Sequence, residues 1–211
     1  MKQISENTIN RMPQYLRVLE EKIAIGVERV SSSEIAYSLG TSPSQVRQDF
    51  SAFGTFGAQG YGYNTDVLLR GIKNILGVDR RHSVIVVGIG CMGTALIEHL
   101  DYEKYGYHID AAFDVRPEVV GETVRDVKVH HISELDLYIE KHPADICILT
   151  VSNESAKGVA ATLSRLGVSS IWNFTNERLN LNNCVVRNVN LLDNLFALTY
   201  YLEQDRHALA I

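Results

Sequence analysis

Three cysteines, Cys91, Cys147 and Cys184, are all that the 211 residues contain, and no two of them stand at C-x-x-C spacing. That excludes a disulfide framework and a cysteine-bound zinc site, and no other metal site is expected. No stretch of eighteen or more apolar residues occurs, so a membrane-spanning helix is not expected. The opening residues Met1-Lys-Gln-Ile-Ser-Glu-Asn lack an apolar signal core, which makes the cytoplasm the expected compartment. An overall excess of positive charge is missing as well, the formal net charge being -5. That deficit is local. Residues 1–77 carry eight Lys/Arg against seven Asp/Glu, and residues 78–211 carry twelve against eighteen. The acidity belongs to the second part and leaves the first open to an anionic partner.

What is present begins with Ser83-Val-Ile-Val-Val-Gly88-Ile89-Gly90-Cys91-Met92-Gly93-Thr-Ala-Leu: an apolar run of strand character, a G-x-G-x-x-G turn, then a helical pattern. Gly88 permits a tight turn out of the strand, Gly90 lets backbone approach a pyrophosphate, and Gly93 lets the helix pack close to the sheet. Phosphates would lie against free N–H groups at the positive end of the helix dipole. Asp114, twenty-one residues past Gly93, ends a second apolar run and stands where an acid binds the adenine ribose 2′-hydroxyl. Such a carboxylate repels a 2′-phosphate and favours NAD(H) over its phosphorylated form. Arg116 two residues on could accept that phosphate, and both readings stay open.

Strand and helix patterns then alternate. Lys128–Ile132, Ala144–Val151, Ser170–Phe174 and Val185–Val189 read as strands, and Ser133–Ile139 and Ser155–Leu166 as helices. The expected class is α/β, with a Rossmann-type parallel sheet over residues 78–189. Sites in such sheets project from the C-terminal ends of strands, which adds Thr150, Val151, Ser152, Asn173, Phe174 and Thr175 to the cofactor candidates. His99, on the helix after the glycine turn, is the one histidine well placed for the same site. Residues 190–211 read as a helix from Leu191 to about Gln204. Its apolar arc is too wide for the edge of a monomer and implies a homodimer.

Residues 1–77 read as a winged-helix module. Apolar positions from Met12 to Gly26 recur at helical spacing, with Pro13 in the first turn. Ser31 and Glu34 have capping-box spacing for a second helix ending at Gly40. Ser42-Pro43 opens a third helix through Gln45-Val-Arg47-Gln48-Asp-Phe. The helix-turn-helix spans roughly residues 14–53. Its exposed face offers Ser44, Gln45, Arg47 and Gln48, residue types that reach base edges and phosphates. Glycines and aromatics alternate over residues 54–63, which read as a β-ribbon, the wing, carrying Gln59 and Tyr61. Asn64-Thr-Asp caps a last helix ending at Gly77. A nucleotide fold joined to a DNA reader, with no acid/base set for hydride transfer, points to a ligand-gated transcription factor and away from an enzyme.

The order and spacing of Arg11-Met-Pro…Tyr15-Leu-Arg17, Ser44-Gln-Val-Arg47-Gln-Asp49, Phe53-Gly-x-Phe-Gly-x-x-Gly60-x-Gly-Tyr63, the glycine turn, Phe113-Asp114-Val115-x-Pro117 and Trp172-Asn173-Phe174 resemble the Rex family of redox-sensing transcriptional repressors over essentially the whole chain. The resemblance implies a homodimer joined by a swapped C-terminal helix. It further implies that the protein binds a palindromic operator when NADH is low and releases it when NADH binds. It puts Val115 with the cofactor residues, and Arg11, Gln45, Arg47, Gln48, Gln59 and Tyr61 at DNA. It also pairs Arg17 with the position of Asn190 as a switch. This chain departs from the family pattern at Gln48, Ala58-Gln59, His99 and Asn190. The alternatives are the same architecture gated by another ligand or by thiol oxidation at Cys91, or a nicotinamide-dependent oxidoreductase.

Overall fold

The computed structural model describes residues 4–54 and 62–209, the side chains of 205 and 207–209 excepted. The chain forms two compact units, residues 1–80 and 81–211.

In the first unit α1 (Glu6–Ala24) starts at an N-cap, Ser5, whose hydroxyl accepts the Thr8 N–H at 3.1 Å. The expected start at Met12, with Pro13 in the first turn, is corrected: Pro13 lies inside the helix. An interior proline costs a helical hydrogen bond, about 3 kcal/mol. Burial of Met12, Tyr15, Leu16 and Leu19 on the same helix, none more than 5% exposed, offsets that cost. The short strand β1 (Arg29–Val30) precedes α2 (Ser32–Leu39), where the Ser31–Glu34 capping box is present and Gly40 closes the helix at φ 62°. Then α3 (Pro43–Ser51) begins at Ser42, whose hydroxyl accepts the Gln45 N–H, with the proline in its first turn.

The end of the expected ribbon, β2 (Tyr63–Asn64), pairs antiparallel with β1, in the register Val30 to Tyr63. The Asn64 side chain caps α4 (Thr65–Leu76), which Gly77 ends at φ 70°. Tyr15, Phe50 and Tyr63 meet edge to face at centroid distances of 5.0 and 5.3 Å, locking α1, α3 and the ribbon end together.

The second unit is a seven-stranded sheet. Its strands are β3 (His82–Val87), β4 (Tyr107–Asp114), β5 (Thr123–Val124), β6 (Val127–His131), β7 (Ile146–Leu149), β8 (Ser170–Asn173) and β9 (Val185–Asn188). Spatial order is β5-β6-β4-β3-β7-β8-β9. All pairs are parallel except β5 with β6, a two-residue hairpin absent from the sequence expectation. Its turn residue Arg125 has φ 53°. The chain enters at the centre with β3, winds out to one edge, returns, and winds out to the other. That reversal places a crevice between the C-terminal ends of β3 and β7.

Alternate β3 residues feed the two faces. Val84 and Val86 pack with Ile97 of α5 (Cys91–His99), whereas Ile85 and Val87 pack with α6 (Leu135–Lys141) and α7 (Asn153–Arg165). Both faces are covered, so the central strands read as continuous apolar runs. The last helix, α8 (Leu191–Leu209), runs five residues further than expected.

Candidate nucleotide cleft and nucleic-acid interface

Three glycines shape the turn from β3 to α5, each for a different reason. Gly88 adopts φ +100°, and a Cβ there would lie 2.7 Å from the Thr150 carbonyl, so both conformation and space demand glycine. At Gly93 a Cβ would land on the Gly88 carbonyl oxygen and 2.9 Å from the Thr150 hydroxyl. A Cβ on Gly90 would meet nothing within 4 Å. Gly90 is therefore not fixed by packing within this unit. It borders open space at the start of α5, as close backbone approach to a phosphate requires. Gly90 also caps α5 with no side-chain hydrogen bond, which leaves the helix's first amides facing that space. Thr150 staples the turn to β7: its hydroxyl donates to the Gly88 carbonyl at 2.6 Å and its N–H to the Val87 carbonyl at 2.9 Å.

Gly90→Ala is consequently expected to change stability by no more than about 1 kcal/mol. Nucleotide affinity should meanwhile fall by about tenfold or more, because the Cβ fills the approach path. Parallel thermal melts and nicotinamide fluorescence titrations check both halves.

A cleft of about 300 Å³ opens beside the turn. Of the expected cofactor residues it brings together Gly88, Gly90, Asp114, Val115, Arg116, Thr150 and Val151. Ser152 and Ser155 line it from the first turn of α7, a second helix N-terminus at the same crevice, with Phe113, Ile132 and Val159 forming apolar walls. The Asp114 carboxylate is 7% exposed and accepts the Ile89 N–H at 2.6 Å and the Arg116 N–H at 2.9 Å. Burial alone would raise its pKa, but the Arg116 side chain and these two amides outweigh burial and hold it below the usual carboxylate value.

The remaining expected cofactor residues lie off the lining. Ile89 is buried and contributes its backbone; Cys91 and Met92 are exposed on the first turn of α5. His99 ends α5 with its side chain 76% exposed beside Glu98. Asn173 is buried with its amide committed: Nδ2 donates to the Glu177 carbonyl and to Asn188 Oδ1, while Oδ1 accepts from Thr175. Phe174 packs on Trp172 at 4.6 Å against the opposite core layer. Among the described residues no cluster of three metal-ligating side chains occurs.

In the first unit, Ser44, Arg47 and Gln48 are exposed on α3. The Arg47 guanidinium is braced by the Ser32 hydroxyl at 3.1 Å and the Ser44 hydroxyl at 3.2 Å, which fixes its fork at the surface. Gln45 is half-buried and donates to Asp49 Oδ1 at 3.0 Å. Arg11 is turned inward, its Nε and Nη2 gripping both Asp49 oxygens at 2.6 and 2.7 Å. Thr8 and Tyr15 donate to the same carboxylate, whose side chain is fully buried. Gln59 and Tyr61 lie outside the described residues. Arg17 is exposed on α1; the Asn190 side chain accepts the Leu192 N–H at 3.0 Å at the entry to α8.

Two family models match the chain, "Putative DNA-binding protein N-terminus" over residues 3–51 and "CoA binding domain" over residues 79–177. The redox-sensing transcriptional repressor Rex of Caldicellulosiruptor bescii is 42% identical over 96% of this chain and 94% of its own. That of Clostridium novyi is 38% identical over 94% and 95%. RSP, a Rex-family repressor solved in complex with β-NAD⁺ and operator DNA, superposes with a TM-score of 0.91 at 36% identity, covering 98% of this chain and 95% of that one. RSP in complex with β-NADH superposes at 0.89 with 33% identity, over 98% and 97%. With likeness of this level from end to end, the chain belongs to the Rex family of redox-sensing transcriptional repressors.

Proposed function

We propose that this protein is a cytoplasmic, homodimeric repressor that holds a palindromic operator when NADH is scarce and releases it when NADH binds. One observation carries the reading: a helix-turn-helix presenting a braced Arg47 and a dinucleotide cleft occur in one chain. RSP, on which this chain superposes, is solved with operator DNA and β-NAD⁺ and with β-NADH. Amides at the start of α5 and the hydroxyls of Ser152 and Ser155 would receive the pyrophosphate, and Asp114 the adenine ribose. The nicotinamide nucleotide supplies a redox-dependent charge and ring shape. The chain's residues bind and orient it, with no proton to move, and the role is sensing, not turnover.

Helix α8 supports the dimer. Leu191, Leu192, Leu195, Phe196, Leu198, Tyr200, Tyr201 and Leu202 are each at least 49% exposed. So wide an exposed apolar surface is unfavourable in water, and a second copy of the chain would cover it. No helix among the described residues is long and apolar enough to cross a membrane.

The test is a fluorescence-anisotropy titration of a duplex that the purified protein has selected from a random pool. NADH is expected to weaken DNA binding by about tenfold or more, the usual range of coupling between two sites, and NAD⁺ is not. Equal DNA affinity in both nucleotides would refute the switch.

A further inference from the structure

The adenine-ribose end of the cleft is not a bare carboxylate. Arg116 Nε lies 3.1 Å from Asp114 Oδ1 and Nη2 lies 3.2 Å from Oδ2, and Nη2 also donates to the Ile89 carbonyl. With the Ile89 and Arg116 amides, each carboxylate oxygen has two donors. The ordinary argument against a 2′-phosphate is repulsion by an unpaired acid at this position. Here the acid carries its own counter-charge, and the pair sums to zero.

The guanidinium is also the group best matched to a phosphate, planar and forked, with several parallel N–H donors. Its side chain is 43% exposed, so it leaves the carboxylate by side-chain torsion alone while the Arg116 N–H stays in place. Two arrangements of one side chain thus serve two ligands. Ribose hydroxyls can replace the guanidinium on Asp114, or the guanidinium can turn to meet a phosphate beside the hydroxyl position. Glu118 and Cys91, the other groups acting on Arg116, do not line the cleft.

We infer that Arg116 makes this cleft a dual-specificity site, accepting NADPH with an affinity comparable to that for NADH. The inference rests on the nicotinamide reading proposed above and deepens it: the protein would report both pools of reduced nicotinamide nucleotide.

The experiment compares NADH and NADPH dissociation constants, by nicotinamide fluorescence on the full-length protein and on Arg116→Ala. NADPH should bind the wild type within about tenfold of NADH, and Arg116→Ala should widen the NADPH-to-NADH ratio by about tenfold or more. Loss of Arg116 unmasks the acid, so the two affinities should move apart, whereas general damage to the fold would weaken both in proportion. A wild-type gap above tenfold, or a ratio that Arg116→Ala widens by less than this, overturns the inference while leaving NADH sensing intact. If neither nucleotide binds, the nicotinamide reading fails first and the inference with it.

Discussion

Gly93→Ala is expected to disable the nucleotide unit. The added Cβ meets the Gly88 carbonyl oxygen, which is backbone, and the Thr150 hydroxyl at 2.9 Å, which is itself committed to that carbonyl. Neither neighbour yields by rotating a flexible side chain. Helix α5 must therefore back away from β3, opening the Ile97 contact with Val84 and Val86. Overpacking of this kind costs about 3 kcal/mol. For a unit of this size the melting temperature should fall by about 10 °C. Nucleotide binding should be lost with it, since the amides at the start of α5 move with the helix. Gly90→Ala is the matched control for stability, adding the same atom three residues earlier where nothing opposes it. A Gly93→Ala protein that melts normally and binds NADH would show that the close packing of helix on strand is not required.

Asp49→Ala is the second large effect, and it falls on DNA binding. The carboxylate sits on the buried face of α3 with Val46 and Phe50 and receives donors from Thr8, Arg11, Tyr15 and Gln45. Removing it strands a partly buried guanidinium and a buried phenol, a loss of about 3 kcal/mol for breaking one side of such a pair. Operator affinity should fall steeply. NADH affinity, which depends on the other compact unit, serves as the internal control. Operator binding at wild-type strength in Asp49→Ala would sink the argument.

The same group sets an acid limit. Burial would raise the Asp49 pKa, but Arg11, Tyr15 and Gln45 prevail and hold it below its ordinary 3.8. A depressed folded-state pKa means stability that is present above the ordinary value and is lost as pH falls through the lowered one. DNA binding should therefore persist as pH drops to about 4 and fail below it.

Much of the candidate cleft is legible in the sequence because its chemistry is local. The glycines of the turn, Asp114 and Thr150 each declare themselves by position relative to a strand end. Asn173 and Phe174 sit at an equally good strand end, yet neither lines the cleft. The Asn173 amide is consumed by Glu177 and Asn188, partners whose proximity only the folded sheet creates. Ser155 is a lining residue that strand-end reasoning leaves out, although Ser152-Asn-Glu-Ser begins three residues after the end of β7, a pattern that announces a helix start. The family resemblance puts Arg11 at DNA, yet its guanidinium is spent on Asp49. Asp49 held the missing clue: at three and one residues from Val46 and Phe50 it shares their helical face, and an acid there needs a cation brought to it. The capping signals of α2, α3 and α4 could be read directly, since each involves residues within one turn. Pro13 misled because the stronger cap at Ser5 lay upstream.

The tie between α1 and α3 also limits how a release from DNA can be carried out. Five hydrogen bonds converge on one immersed carboxylate, and the edge-to-face cluster of Tyr15, Phe50 and Tyr63 runs beside them. The recognition helix cannot tilt while α1 stays put. In the proposed dimer each reading head must then behave as one jaw of a caliper, stiff in itself, and release is a change in the gap between jaws. Operators should differ in how they tolerate altered spacing between half-sites more than in how they tolerate altered bases within one.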